Sequence, residues 1–285
     1  MTNDYQRTGP RRVGQVKEVT SLSNPIIKDI KALTNKKDRE ESGAFMAEGL
    51  KLVIDALELG WSIRTLVYAK AAKGKPLVEQ VAAKTIAHGG LVLEVSEKVL
   101  SSITRRDNPQ MVVGIFEQRW KKLEDLSPGA NETLVALDRV RDPGNLGTII
   151  RTADAAGASA VLLVGECTDP FSLETVRATM GSVFAIPVVK CSAEEFLGWQ
   201  KRAGGQVVAT HLAGAVDYRT VDYAKKATIL LMGNEQSGLP DNLAKAADRT
   251  VRIPQQGRAD SLNLAVATAV MLFESRRHLL SLDDK

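Results

Sequence analysis

The chain has 285 residues, of which 44% are hydrophobic and 25% charged, as in globular proteins. No apolar run approaches the roughly 20 residues of a membrane-spanning helix, and the N-terminus has no apolar signal core, so we expect a soluble, cytoplasmic protein. The two cysteines lack C-x-x-C spacing and the three histidines are scattered, which argues against a disulfide framework and against a metal site.

The net charge of +4 is unevenly distributed along the chain. Residues 1–39 contain nine Lys/Arg and four Asp/Glu, whereas the other 246 residues contain 29 and 30. A positive excess at one end suits an arm that binds phosphates, and a solvated leader is the alternative. The side chains predicted to make phosphate contacts are Lys28, Lys31, Lys36, Lys37 and Arg39.

The first part of the chain predicts a tail followed by a small domain. Residues 1–16 have few apolar positions and are predicted to be a disordered basic tail, with order beginning near Glu18. Asn24 and Pro25 predict a helix cap and the first helical residue. Strands and helices then alternate, which predicts an α/β domain over residues 17–117. Its predicted strands are Ala44–Ala47, Ile63–Tyr68, Leu91–Val95 and Met111–Phe116, and its predicted helices are Leu50–Leu59, Leu77–Ala87 and Glu97–Ile103.

A second domain is predicted over residues 133–285. Residues 118–132 are polar, contain Ser-Pro-Gly and are predicted to be a linker. The strands that follow are almost continuously apolar, which predicts a parallel sheet covered on both faces. They are Leu134–Leu137, Ala160–Val164, Ala185–Val189, Val207–Thr210, Thr228–Met232 and Thr250–Ile253. A final helix over Leu262–Leu280 has a broad apolar stripe that could cover the sheet, a second subunit, or both.

Three segments of this domain place glycine and amide side chains where apolar strands end. They are Asp142-Pro-Gly-Asn-Leu-Gly-Thr-Ile-Ile-Arg151, Met232-Gly-Asn-Glu-Gln-Ser-Gly-Leu-Pro240 and Ile253-Pro-Gln-Gln-Gly-Arg-Ala-Asp-Ser-Leu-Asn263. Strand ends of an open α/β sheet are ligand sites, and glycine tolerates the positive φ angles of sharp turns. Neither a P-loop nor a G-x-G-x-x-G motif occurs, so the common nucleotide-binding folds are disfavoured.

Together the three segments resemble the signature motifs of the SpoU/TrmH family (SPOUT superfamily) of RNA ribose 2′-O-methyltransferases. The resemblance covers residues 133–280, and residues 18–116 resemble the substrate-binding domain related to ribosomal protein L30e. It implies an α/β protein with a C-terminal trefoil-knotted methyltransferase domain, built on a parallel sheet, and a smaller N-terminal L30e-like α/β domain. It also implies S-adenosyl-L-methionine as cofactor and a homodimer paired through the helix near Gly147 and the final helix.

The same resemblance implies the site residues. The catalytic positions are Asn145, Arg151, Glu235, Ser261 and Asn263; the cofactor positions are Thr210, Gly233, Ile253 and Leu262, with Leu212 as a further apolar wall; Arg177 and Ser182 lie near the ribose and RNA. Because guanidinium stays protonated, we expect Arg151 to bind the ribose and adjacent phosphate and to stabilise the alkoxide, while the proton passes to a phosphate oxygen or water. Taken singly, Asn145, Ser261 and Asn263 could each be ordinary helix-capping residues.

The resemblance predicts S-adenosylmethionine-dependent methylation of a ribose 2′-hydroxyl in structured RNA. Ribosomal RNA is favoured over transfer RNA because of the additional N-terminal domain. The alternatives are a tRNA ribose 2′-O-methyltransferase and a non-catalytic RNA-binding or ribosome-assembly protein on the same scaffold.

Overall fold

The computed structural model describes residues 14–211, 215–259 and 261–282. The chain divides into two compact units, Met1–Gln118 and Arg119–Lys285. Within the described ranges, no helix is long and apolar enough to cross a bilayer.

The first unit is a five-stranded mixed sheet with helices. Its strands are β1 (Gln15–Val19), β2 (Ala44–Glu48), β3 (Ile63–Ala69), β4 (Leu91–Val95) and β5 (Val112–Glu117), in the order β1-β4-β3-β5-β2. Its helices are α1 (Pro25–Ala32), α2 (Lys36–Ser42), α3 (Leu50–Glu58), α4 (Pro76–Ala87) and α5 (Glu97–Thr104). The predicted start of α1 is confirmed, because the Asn24 side chain accepts a hydrogen bond from the Ile26 N–H.

Two parts of this unit differ from the sequence-based prediction. Strand β1 begins at Gln15, so residues 15 and 16 do not belong to a disordered tail and order does not begin near Glu18. Parallel pairing with β4 supplies the backbone partners of this exposed strand, and that pairing cannot be read from local composition. Helix α2 was not predicted, and it ends at Gly43 in the left-handed conformation.

The second unit is a seven-stranded sheet in which every pair of neighbouring strands is parallel. Its strands are β6 (Thr133–Asp138), β7 (Ala160–Val164), β8 (Val188–Cys191), β9 (Gln206–Thr210), β10 (Val216–Asp217), β11 (Thr228–Met232) and β12 (Arg249–Arg252), in the order β10-β12-β9-β11-β6-β7-β8. Its helices are α6 (Pro143–Ala155), α7 (Leu173–Thr179), α8 (Ala193–Ala203), α9 (Asp241–Lys245) and α10 (Leu264–Arg276). The predicted parallel sheet is therefore confirmed.

Both faces of this sheet are buried, because successive strand residues point to opposite sides. One face packs against α6 and α10, with Leu137 and Met271 among its fully buried residues. The opposite face packs against α8 and α9 and includes Phe196 and Leu243. The trefoil knot, in which the C-terminal segment would pass through a loop, stays a prediction.

The segment predicted to be a linker packs against the second unit. The Lys121 N–H donates a 3.0 Å hydrogen bond to the carbonyl of Val188 in the edge strand β8. Leu123 and Leu126 then contact the buried cluster beneath α8. The polar composition of residues 118–132 predicts a linker. The packing could not be predicted from the sequence, because the two leucines that contact the core are too few to form a periodic pattern.

Candidate active site

The three glycine- and amide-rich segments follow strands β6, β11 and β12, all at the carboxyl edge of the parallel sheet. Met232 of β11 is in register with Leu137 of β6, so the first two segments leave the sheet side by side. Strand β12 is separated from β11 only by β9. Since neighbouring strands are about 4.8 Å apart, all three segments emerge within a short stretch of one edge.

Helix α6 carries the first segment and begins with a side-chain cap. The Asp142 carboxylate accepts a 2.6 Å hydrogen bond from the Asn145 N–H, and Pro143 occupies the first helical position. The capping role that the sequence left open for Asn145 therefore belongs to Asp142. The amide side chain of Asn145 is left available for contacts outside its own helix.

The second segment forms a tight turn closed by hydrogen bonds between the backbones of Asn234 and Gly238. The Asn234 side-chain oxygen accepts from the N–H groups of Gln236 and Ser237. Its amide nitrogen donates to the Arg139 carbonyl over 2.7 Å. Asn234 thus ties the turn to the end of β6 and orients Glu235 beside it.

Asn234 was missed as a functional position. The sequence feature that could have identified it is the residue type: an asparagine in a turn can accept hydrogen bonds from the turn's own backbone and still donate to the end of another strand. The carbonyl that it binds belongs to Arg139, which adopts a left-handed conformation with φ of 49°. Two hydrogen bonds, of 2.9 and 2.8 Å, join the Arg139 guanidinium to the buried Asp138 carboxylate. This ion pair holds the strained residue in place.

Three of the predicted catalytic residues form one chain of hydrogen bonds. The Asn263 side-chain nitrogen donates to the Asn145 side-chain oxygen over 2.9 Å, and the Asn145 nitrogen donates to a Glu235 carboxylate oxygen over 3.2 Å. The Asn263 oxygen also accepts from the N–H groups of Ala265 and Val266 at the start of α10. Asn263 is therefore both a helix cap and a member of this amide chain.

Arg151 and Ser261 are placed differently from the amide chain. Arg151 is exposed on α6 and, within the part of the chain that the structure describes, its side chain forms no hydrogen bond or ion pair. Ser261 is exposed two residues before the α10 cap, so the capping role considered for it belongs to Asn263. Arg177 is half-buried on α7, and Ser182 begins a short 3₁₀ turn.

Two of the motif glycines, Gly147 and Gly233, act through close packing. Only Gly238 has a positive φ, of 63°, so the expectation of left-handed backbone is wrong for Gly144, Gly147 and Gly233. A Cβ on Gly147 would lie 2.4 Å from the Ala178 Cβ, and one on Gly233 would lie 2.6 Å from the Leu239 nitrogen. These glycines allow α7 to approach α6 and allow the turn after β11 to close.

The residues predicted to bind the cofactor follow three adjacent strands. Thr210 ends β9, Gly233 follows β11 and Ile253 follows β12, and all three are half-buried. Leu262 is 37% exposed, whereas Leu212 lies outside the described residues. None of the four described positions is charged, so they can form the apolar walls and expose the backbone groups that an adenosine moiety needs.

One of the five side chains predicted to contact phosphates cannot do so. Arg39 is only 3% exposed, and its guanidinium donates a 2.8 Å hydrogen bond to the Leu33 carbonyl. Its role is to hold the end of α1, so it is removed from the predicted contacts. Lys28 is exposed and Lys31 half-buried on α1, whereas Lys36 and Lys37 form exposed ion pairs with Glu40 and Glu41. Such pairs are weak and leave the lysines open to an incoming phosphate.

Comparison with known proteins assigns both units. The SpoU rRNA Methylase family matches residues 132–273, and the MRM3-like substrate binding domain matches residues 24–114. The crystal structure of AdoMet bound rRNA methyltransferase from Sinorhizobium meliloti is 73% identical with a TM-score of 0.90, covering 94% of this chain and 100% of that chain.

Two relatives of known substrate differ in how much of the chain they match. The 23S rRNA (guanosine(2553)-2′-O)-methyltransferase RlmP of Bacillus subtilis is 31% identical over 92% of this chain and 100% of its own length. The tRNA (guanosine(18)-2′-O)-methyltransferase of Escherichia coli K12 is 32% identical but matches only 60% of this chain and 71% of its own length.

Proposed function

Because the chain belongs to the SpoU rRNA methylase family, we propose that it methylates a ribose 2′-hydroxyl of ribosomal RNA. The observation that carries this proposal is the hydrogen-bonded chain of Asn145, Glu235 and Asn263, which three separate segments assemble at one sheet edge. A scaffold without catalytic activity would not need these side chains to meet. An rRNA substrate would place the protein in the cytoplasm.

S-adenosylmethionine is the methyl donor, and the described residues fit it. Thr210, Gly233 and Ile253 line the strand ends with small, uncharged or apolar groups, and the turn at Gly233 leaves no room for a side chain. Backbone groups can therefore approach a ligand closely. The bound cofactor supplies an electrophilic methyl carbon on a positively charged sulfur.

The chain's own residues then orient and activate the hydroxyl. The Glu235 carboxylate is exposed, and its two oxygens accept hydrogen bonds from the side-chain nitrogens of Asn145, over 3.2 Å, and Asn234, over 3.4 Å. Each oxygen keeps a second lone pair that can accept a hydrogen bond from the ribose. Arg151 is exposed and unpaired among the described residues, which suits contacts with the adjacent phosphate and the developing alkoxide. The proton leaves the 2′-hydroxyl oxygen for a phosphate oxygen or water, because guanidinium does not act as a base at neutral pH.

Ribosomal RNA is favoured over transfer RNA by the extent of similarity. RlmP matches both units of this chain, whereas the tRNA enzyme of E. coli matches only 60% of it. The first unit also matches a substrate-binding domain. On this basis Lys28, Lys31, Lys36 and Lys37, which lie on α1 and α2, contribute phosphate contacts.

We also infer a homodimer through α10. Val266 and Phe273 are 51% and 48% exposed, and half-buried Val270 lies between them at helical spacing. Met271, two residues before Phe273, is fully buried in the core. The helix thus covers the sheet with one side and leaves an apolar stripe on the other, which is the surface that a second copy would bury.

Methyl transfer to defined RNAs tests the reaction. The purified chain and labelled S-adenosylmethionine should modify rRNA but not tRNA, and ribose-methylation mapping in cells with and without the gene should identify the nucleotide. Asn145→Ala is the inactive control. Calorimetric absence of S-adenosylmethionine binding would instead support the non-catalytic alternative.

Light scattering tests the pairing. The full chain should have twice its 30.8 kDa mass, and Phe273→Glu should yield monomers, because an unpaired carboxylate would be buried at the interface. The matched control is Phe273→Leu, which keeps the stripe apolar. A dimer that persists in the glutamate variant would place the interface elsewhere.

A further inference from the structure

A groove in the second unit lies away from the amide chain. It has a volume of about 570 Å³ and is lined by residues 120–124, the end of β8 and helix α8, within the 300–1,000 Å³ typical of clefts that hold a small ligand. The buried side chains of Cys191 and Trp199 are part of its lining. Two hydrogen bonds build it: Lys121 N–H to the Val188 carbonyl, and the Trp199 indole to the Leu126 carbonyl at 3.2 Å.

The groove is separate from the catalytic residues. It lies at the edge strand β8 beside α8, and none of the predicted catalytic residues is part of its lining. Strand β8 is two strands from β6, a distance of roughly 10 Å. A ligand in the groove therefore binds at the edge of the sheet, beside the catalytic centre.

The charge of the lining favours an anion. Lys121, Lys122, Lys190 and Arg202 are opposed by Glu124 and Glu195, in a unit whose sequence from residue 119 onward contains 20 basic and 20 acidic side chains. Among the described residues, Lys122, Lys190 and Arg202 form no ion pair. Glu195 is already engaged, since its carboxylate accepts a 2.7 Å hydrogen bond from the Ser192 N–H. Three cations are thus left for an incoming ligand.

An exposed aromatic ring stands beside these cations. Trp120 is 41% exposed, yet its ring is held at 87° to buried Phe171 with centroids 5.1 Å apart. A tryptophan that is held in place and still open to solvent is a stacking surface, and bases stack on such rings irrespective of sequence. Unpaired nucleotides are the ligands that need an aromatic platform and several cations together.

We propose that this groove binds an unpaired nucleotide of the RNA substrate, with its base stacked on Trp120 and its phosphates held by Lys122, Lys190 and Arg202. The proposal rests on the proposed function only in taking RNA as the occupant. The groove anchors a single-stranded segment while a different part of the same RNA presents its ribose to the catalytic residues.

Binding of a labelled single-stranded decauridylate to the full chain tests the groove. Lys190→Gln with Arg202→Gln should weaken binding and lower the slope of log K against log salt by about 1.4, because each lost contact with single-stranded phosphate removes about 0.7. The matched control is Lys201→Gln with Lys226→Gln, which removes the same charge from exposed positions that do not line the groove. An equal effect of both doubles would overturn the proposal.

Stacking is tested separately. Trp120→Leu, which keeps an apolar contact for Phe171, should weaken decauridylate binding about tenfold with an unchanged salt slope, while Trp120→Phe should retain most of the affinity. Wild-type affinity in the leucine variant would refute the stacking role. Preference of the native chain for an acidic peptide over decauridylate would assign the groove to a protein partner instead.

The two proposals fail in distinguishable ways. Groove variants should bind S-adenosylmethionine normally in calorimetry and should raise KM for RNA while leaving kcat close to that of the native chain. If no rRNA is methylated but decauridylate binding depends on Trp120, the groove stands and the proposed reaction does not. If rRNA is methylated with a native KM by the groove variants, the groove proposal is the one that fails.

Discussion

Replacement of glycine with alanine is expected to have opposite effects on stability at Gly147 and at Gly198, although both lie in the middle of a helix. Both are interior residues, of α6 and α8 respectively. Replacing an interior helical glycine with alanine stabilises a helix by about 1 kcal/mol when the new methyl group meets no other atom. The atoms around each new Cβ therefore decide whether the substitution raises or lowers the free energy of unfolding.

At Gly147 the methyl group has no space. It would lie 2.4 Å from the Ala178 Cβ and 2.6 Å from the Thr175 carbonyl oxygen, whereas ordinary carbon contacts are about 3.5–4.0 Å. Neither atom can rotate away, so α6 and α7 must separate by about 1 Å. Overpacking of this kind costs about 1–3 kcal/mol, which outweighs the helix propensity. After the helix-propensity gain of about 1 kcal/mol is subtracted, we expect Gly147→Ala to lower the free energy of unfolding by about 1 kcal/mol.

At Gly198 the methyl group points into open space, with no described atom beyond its neighbouring residues and its own helix backbone within 4 Å. Gly198→Ala should therefore raise the free energy of unfolding by about 0.5–1 kcal/mol. It should leave methyl transfer unchanged, because α8 carries none of the catalytic residues. In Gly147→Ala, by contrast, Asn145 and Arg151 shift with α6, and a displacement near 1 Å can cost about 10²-fold in rate.

Urea unfolding followed by tryptophan fluorescence measures both variants, since two of the three tryptophans, Trp120 and Trp199, are in the second unit. Methyl transfer is measured in parallel. A Gly147→Ala protein as stable and active as the native chain would refute the packing argument, as would a destabilised Gly198→Ala protein.

Three further outcomes are expected. Asn263→Asp should keep the cap of α10 and native stability but lose the donor to Asn145, so turnover falls, whereas Asn263→Ala should also lose about 1 kcal/mol in urea unfolding. Arg151→Ala should bind S-adenosylmethionine normally in calorimetry and lose about 10²-fold or more in turnover, with little rescue by lysine; near-native turnover would rule out its assigned role. Burial raises the pKa of the Cys167 thiol to about 11 and that of Cys191 to about 12, so both should resist alkylation at pH 8 until the chain is unfolded, and rapid labelling of the folded protein would contradict this.

Local patterns in the sequence determined much of this fold. Continuous apolar runs located the central strands, such as Thr228–Met232, because a strand buried on both faces requires apolar residues at successive positions. The Asn24-Pro25 pair located the start of α1, since capping involves atoms only a few residues apart. The order of the three motifs pointed to one site before any contact between them was visible.

Tertiary structure alone decided which of those residues meet. Asn145 contacts side chains 90 and 118 residues away, and such pairing depends on the strand order β12-β9-β11-β6 rather than on any local pattern. Arg39 was indistinguishable from its neighbouring lysines in a count of charges, but it is buried against a carbonyl. Gly147 had the composition of a turn residue, yet its role is to let α7 approach. Periodicity and capping act within one or two helical turns, whereas burial, close approach and the groove beside Trp120 exist only after distant segments have packed together.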